Sequence, residues 1–447
     1  SPSPLPLRPS GHIVCGNACT TDWNTVCPHT KDEEVYVMGN PPYYGSKKQT
    51  ADQKADMIKA LSELKNKKGL DYIAGWFWKG AKYIRGTKAR YAFVTTNSIC
   101  QGEQVDMLWK PILNEGLTIA FARTTFKWSN NAKNNAVVAC VIIGVTNDYN
   151  GKRRYFNEST QTELRVNNIN PYLSVSDNII VKKENNNLSG MPTMYFGSMP
   201  RDGGFLNFDE EFKNQLLKDF PNAAPLVKKY RGSQELIQGT LRYCLWIEEK
   251  DKDLAYSIPP IAKLLSQVAD DRAKSDAEST RDYAQRPYMF VQRSYQEKES
   301  ILVPRVSSER REYIPIGFVD KDTVTSDSAF AVYDVDYWLF GLLNSHIHNV
   351  WVRAVAGALE NRIRYAATLC YNTFPFPKLN SRQQKELSDL AKEILLVRAG
   401  HTEMTLGEMY TPETMPEDLL TAHHNLDVYV ERCYREKPFE SDEERLE

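Results

Sequence analysis

The stretch Glu33–Gly45, EEVYVMGNPPYYG, runs from an apolar, strand-like segment into an amide, two prolines and a tyrosine. Val35, Tyr36 and Val37 favour an extended backbone. Pro41 and Pro42 then fix φ twice and remove two backbone donors, so the strand stops on a stiff turn. There the Asn40 side-chain oxygen and a neighbouring carbonyl can hold the hydrogens of an NH2 group, and Tyr43 offers a flat face to a planar ring. The four residues suit an exocyclic amine carried on a stacked ring. An ordinary Pro-Pro turn reads the same over so short a span, and the surroundings have to decide.

Those surroundings alternate strands and helices. HIVCGNA (His12–Ala18) reads as a strand upstream, and helices are predicted over Gln53–Lys65 and Leu70–Ile84. A strand is predicted over Arg90–Ile99 and a helix over Gly102–Leu113. The segments Leu117–Trp128 and Ala136–Val145 read as a strand pair joined by the polar SNNAKNN. This pattern predicts a doubly wound α/β sheet buried on both faces, with a core around Val37–Met38, Phe93–Thr95 and Val137–Ile143. Ligands of such sheets bind at the carboxyl ends of the strands, where Gly16-Asn17 and Asn40–Tyr43 fall.

The 447 residues, 41% hydrophobic and 25% charged, fit a globular chain of two or three domains. A net charge of −1 argues against nonspecific polyanion binding but allows a local basic groove. No apolar run approaches the ~20 residues of a membrane span, and no stretch reads as a signal peptide. Eight dispersed cysteines without a C-x-x-C pair suggest reduced thiols and a cytoplasmic location. Cys15, Cys19, Cys27 and His29 lie close together, but their spacing fits no common zinc pattern, and no metal is expected. His346 and His348 lie in an apolar helical pattern and read as structural.

The segment Lys182–Pro192 reads as a connection, and the region from about 200 to 375 is mixed α/β with clusters of arginine and aromatics. Within it Tyr337–Leu359 is predicted as one packed helix, and helices follow over Ser381–Ala399 and Glu417–Tyr434. In ENRIRY, Glu360 and Arg362 stand two apart just after the predicted helix, so an extended turn would aim both at one base pair. Glu accepts from cytosine N4 and Arg donates to guanine O6 and N7, which predicts that the two read a C·G pair; a surface pair without a partner is the alternative. Arg305, Ser307, Ser308, Arg310 and Arg311 are candidate phosphate contacts, against a competing ion-pair cluster with Glu309 and Glu312. Lys228–Glu235 is a weaker patch of the same kind.

Asn40-Pro41-Pro42-Tyr43 resembles the catalytic motif of S-adenosylmethionine-dependent amino methyltransferases. IVCGNACTTDW (Ile13–Trp23) resembles their segment at the cofactor adenine, with Asn17 as the side-chain contact. Tyr91–Val105 and Phe121–Gly144 resemble two later motifs of one group, the single-chain type II restriction-modification enzymes of gamma-class adenine-N6 type (type IIG or IIL-like). Val303–Phe318 and Tyr371–Pro377 resemble that group's target recognition domain, and the likeness continues to Ser441–Glu447.

The resemblance implies a partial Rossmann-like methyltransferase sheet lacking its first strands, a mixed α/β recognition domain and C-terminal helices, over 1–170, 171–378 and 379–447. It implies that Asn40, Pro41, Pro42 and Tyr43 clamp a flipped adenine, with Phe126 or Trp128 as the opposite wall. It also implies S-adenosylmethionine as cofactor, and double-stranded DNA and the missing N-terminal part of the same polypeptide as partners. One departure limits this. SPSPLPLRPS at the start cannot build the family's glycine-rich loop, and neither CGNAC nor RDGGF has the required strand-loop-helix setting. No nuclease cluster is recognisable either. The expectation is a C-terminal part that binds cofactor weakly, methylates nothing alone and exposes a sheet edge prone to self-association. Two alternatives remain: a specificity module without catalysis, and a protein-glutamine N5-methyltransferase. The long recognition-like region counts against the second.

Overall fold

The computed structural model describes residues 12–128, 138–147, 150–359 and 362–446. The chain divides into two units, Ser1–Lys182 and Lys183–Glu447.

In the first unit six strands form one mixed sheet. They are β1 (Tyr36–Gly39), β2 (Arg90–Thr96), β3 (Leu117–Trp128), β4 (Val138–Asn147), β5 (Arg153–Asn157) and β6 (Thr162–Val166), in the order β1-β2-β4-β3-β5-β6. β1 runs parallel to β2, and β4 lies between β2 and β3, antiparallel to both. The helix Ala74–Ile84 buries Trp76, Phe77, Trp78, Tyr83 and Ile84. The Phe77 ring meets Tyr91, Phe93 and Trp109 edge-on at 5.8, 5.4 and 5.5 Å. A Cβ at Gly80 would lie 2.9 Å from the Tyr91 ring, so this helix needs a glycine to approach β2. The helix Ala51–Ala60 begins with a capping box between Thr50 and Gln53.

Three expectations need correction here. His12–Ala18 forms no strand; the Asn17 carbonyl accepts from the Thr20 and Thr21 amides at 2.9 Å each, and this local turn outcompetes the apolar run. Gly102–Leu113 is a π-helical turn, Val105–Trp109, followed by a short α-helix, Lys110–Asn114, and Pro111 withholds an amide from the first turn of that helix. Met38 is not core. β1 is an edge strand whose alternation turns Val37 inward and leaves Tyr36 and Met38 58% and 79% exposed. Phe93, Thr95, Val141 and Ile143 are buried, and Val137 lies outside the described residues.

The second unit holds three small sheets. One orders Thr323–Thr325, Val227–Arg231, Tyr243–Leu245 and Asn207–Phe208, and another orders Gly317–Val319, Ser300–Pro304, Ala329–Tyr333 and Tyr195–Phe196. The third has three strands, Val306–Ser308, Arg362–Arg364 and Gly357–Leu359. The helices Ser381–Gly400 and Glu417–Tyr434 pack on each other and on Tyr337–Asn344. Lys182–Pro192 has no regular structure, yet it is pinned: the Asn187 amide donates to the Tyr371 carbonyl at 2.9 Å. Among the described residues no helix is long and apolar enough to cross a membrane.

The single helix expected over Tyr337–Leu359 is two, Tyr337–Asn344 and His346–Val355, before a strand at Gly357. Ser345 breaks it, because its extended backbone and its hydroxyl, accepting from the His348 amide, make it an N-cap. His348 is fully buried, 3.1 Å from the Tyr365 hydroxyl, and burial pushes its pKa down to about 3. The unfolded state then binds more protons between about 6.5 and 3, so stability falls as pH drops through that window. His348→Phe is expected to make this acid-side loss shallower. At neutral pH it should cost about 1–3 kcal/mol, because the Tyr365 hydroxyl loses its partner. Urea unfolding across that pH range tests this, and an unchanged slope would contradict it.

Candidate active site and nucleic-acid surface

β1 ends at Gly39, so Asn40–Tyr43 occupy the carboxyl end of an edge strand. Asn40 is exposed, and its side chain makes no hydrogen bond to another described residue, which leaves its amide for a ligand. Pro41 is buried beneath it and Pro42 is exposed. Tyr43 is half-buried against the sheet core, its hydroxyl 3.9 Å from Cys140 Sγ. Burial, then Cys140, pushes its pKa up to about 12, so it works as a neutral ring.

Cys140 is the register partner of Phe126 across the β3–β4 ladder, beside a bulge between Arg123 and Phe126. Opposed residues share a face of the sheet, so Tyr43 and Phe126 approach the same thiol. Trp128 lies 6.2 Å from Phe126 and is 40% exposed, while Phe126 is half-buried with the Arg123 guanidinium 5.5 Å from its ring. Of the turn, Tyr43 reaches Cys140, and Phe126 is the cross-strand register partner of that cysteine, with Trp128 two residues on opposite Val138.

Asn17 adjoins this neighbourhood. Its Oδ1 accepts from the Cys19 amide at 2.9 Å, and its Nδ2 donates to Asp56 at 2.8 Å and to the Tyr72 hydroxyl at 3.4 Å. The Asn17 amide is thus engaged within the chain, and the described residues include no glycine-rich strand-loop-helix for the remainder of a nucleoside cofactor. The described residues do not by themselves complete a site for S-adenosylmethionine. Among the described residues no three His, Cys, Asp or Glu side chains converge as metal ligands.

On the second unit the three-stranded sheet sorts the arginine cluster. Arg362 lies opposite Ser308 on one side and Leu359 on the other, and Arg364 opposite Val306 and Gly357, so Ser308, Arg362 and Arg364 share one face. Arg362 and Arg364 are exposed, whereas Ile363 and Ser307 are buried on the opposite face. Arg362 therefore sits in a strand, not in a turn after a helix, and Glu360 lies outside the described residues. Sequence reading missed Arg364, although the alternation R-I-R was its signal.

Two expected phosphate contacts face inward. Ser307 is 3% exposed, its hydroxyl buried. Arg305 lays its guanidinium 4.5 Å from the Phe196 ring and donates to the Asp327 carbonyl, and burial lowers its pKa. Both serve packing in this structure, because strand alternation and an aromatic cradle turn them from solvent. Arg311 is half-buried and reaches the Gly407 carbonyl at 3.4 Å. Arg310 is exposed and ion-paired with Glu413, not with Glu309 or Glu312. Ser308 keeps a half-exposed position beside Arg362. Lys228 pairs with Asp322 at 3.3 Å and Lys229 with Asp320.

A strand-end amide beside an aromatic pair, followed by a mixed α/β unit with a basic strand face, is the outline expected of a methyltransferase joined to a recognition domain. Family models described as the DNA-methyltransferase, target recognition and C-terminal domains of MmeI match residues 1–157, 175–378 and 379–447. The chain belongs to the MmeI family, whose three domain models together match nearly all of it. It is similar to DNA methyltransferase A of Bacillus subtilis (strain 168), 45% identical over 443 residues, which are 99% of this chain and 50% of that protein. It also resembles the type IIL restriction-modification enzyme MmeI, solved in complex with DNA. That likeness has a TM-score of 0.91 at 37% identity and covers 97% of this chain and 58% of that one. The chain thus spans about half the length of the curated relative it matches.

Proposed function

We propose that this chain carries the base clamp and the target recognition region of a DNA adenine-N6 methyltransferase within a restriction-modification enzyme. The observation that carries the reading is Asn40, with its amide uncommitted at the end of β1, beside Tyr43 and the Phe126–Trp128 pair. An amine inside a stacked duplex is out of reach, so the target nucleotide has to be flipped into a pocket with aromatic walls. Asn40 Oδ1 and the carbonyl of a neighbouring residue, constrained by Pro41 and Pro42, accept the two amine hydrogens. Tyr43 and either Phe126 or Trp128 hold the ring between them.

S-adenosylmethionine is the methyl donor in this reading, with Asn17 the contact assigned to this chain. Asn17 is the contact this reading assigns among the described residues, and the 447-residue polypeptide alone is expected to bind the cofactor weakly and to transfer no methyl group to DNA. Its place of action in this reading is the cytoplasm.

The duplex is read by Glu360 and Arg362 at a C·G pair and positioned by Ser308 and Arg310. The order of the three family matches supports a division into 1–170, 171–378 and 379–447. Methylome sequencing of cells carrying the complete gene tests the proposal. The expected result is N6-methyladenine at one defined site. Unmodified DNA together with a methylated protein glutamine would overturn it.

A further inference from the structure

We propose that Asp71 is the positioning residue of the Asn40–Tyr43 clamp, an inference that rests on the reading of the clamp given above. Asp71 is 5% exposed, and among the described residues no lysine or arginine pairs with it. A buried carboxylate without a cation is costly unless hydrogen bonds replace its water. Here the donors belong to the parts that hold the clamp. Oδ1 accepts from the Tyr44 amide at 3.0 Å, directly after Tyr43, and from the Ile73 amide at 3.3 Å, where the helix Ala74–Ile84 begins. The Ser98 hydroxyl, in the segment following β2, donates to Oδ2 at 3.4 Å. The Asp71 amide is itself fixed, donating to Gln104 Oε1 at 2.9 Å.

One side chain thus ties the turn after β1, the segment after β2 and the helix that packs on β2. The other side of Tyr44 is held as firmly. Its carbonyl accepts from the Tyr72 amide at 2.9 Å and from Gln49 Nε2 at 3.0 Å, and the same Nε2 reaches the Leu70 carbonyl at 3.0 Å. Tyr44 is therefore held through both its amide and its carbonyl, so the peptides on either side of it are fixed, and with two prolines before Tyr43 the ring and the Asn40 amide have little freedom to drift. Asp71 touches neither base nor cofactor; it acts through the backbone of Tyr44.

The test uses the complete gene product, with 2-aminopurine at the target adenine as a fluorescent report of how the flipped base is held. Asp71→Ala is expected to lower kcat roughly 30- to 100-fold, with KM for DNA within about threefold, because a small misplacement costs rate and not affinity. Its 2-aminopurine signal should move toward that of Tyr43→Ala. Asp71→Asn keeps an Oδ1 acceptor for both amides and should recover to within about tenfold of the unsubstituted rate. Gln49→Leu releases the Tyr44 carbonyl without touching Asp71, and about a tenfold loss of kcat is expected at an unchanged melting temperature. Should Asp71→Ala fail to fold, that variant and Asp71→Asn carry the test. An unchanged kcat in Asp71→Ala or Gln49→Leu, or a fully inactive Asp71→Asn, would overturn the proposal while leaving the clamp reading intact. An unimpaired Tyr43→Ala protein would overturn the clamp reading, and this proposal with it.

Discussion

Asn40→Ala in the complete gene product is expected to slow methyl transfer roughly 10²- to 10³-fold, the usual cost of removing one preorganised polar group from a reacting centre. DNA affinity should stay nearly unchanged. The residue is exposed, and its side chain makes no hydrogen bond to another described residue, so its loss leaves no buried group unsatisfied. The effect then belongs to the amine that Asn40 would grip. Tyr43→Ala should be milder, on the order of 5- to 150-fold, since stacking one base on an aromatic ring is worth about 1–3 kcal/mol. Its hydroxyl only reaches a thiol at 3.9 Å, so Tyr43→Phe should retain most of the rate. Single-turnover transfer to a DNA duplex separates these variants. A loss below about twofold for Asn40→Ala would remove it from the reacting centre.

The second large effect is a change of specificity. Glu360→Lys combined with Arg362→Asp is expected to change the base pair recognised at one position of the site. Each bidentate side chain–base pair discriminates by about 1–3 kcal/mol, so reversing both charges penalises the original pair and rewards another. Arg362 lies on the outward face of its strand with Ser308 and Arg364, which suits a β-ribbon presented to a groove. Methylome sequencing of cells carrying the doubly substituted gene reads the result. An unmoved site would refute the assignment.

The parts legible in the sequence are those governed by local rules. Asn40-Pro41-Pro42 stops a strand because proline cannot continue one, and Phe93, Val141 and Ile143 are core because they alternate onto the buried face, where the helix Ala74–Ile84 packs on Phe93. Apolar periodicity failed where local hydrogen bonds won: the Asn17 carbonyl and side chain turned a strand-like run into a loop, and the Ser345 hydroxyl cut one helix into two. It failed again where neighbours decide direction. Arg305 and Ser307 read as surface residues by type, but strand alternation takes Ser307 out of solvent and an aromatic cradle half-buries Arg305. Met38 failed in the opposite sense, an apolar residue on the outer side of an edge strand. Asp71 was invisible because its partner, Tyr44, stands 27 residues away, and a lone acid within LDYIAG carries no local signature.

The central claim is that Asn40 and Tyr43 hold a flipped adenine for methylation at N6. The most direct test digests DNA treated in vitro with the complete gene product and S-adenosylmethionine, and resolves the nucleosides by mass spectrometry. N6-methyldeoxyadenosine that vanishes with Asn40→Ala is the predicted result. N4-methyldeoxycytidine as the product, or N6-methyldeoxyadenosine undiminished by Asn40→Ala, would contradict it.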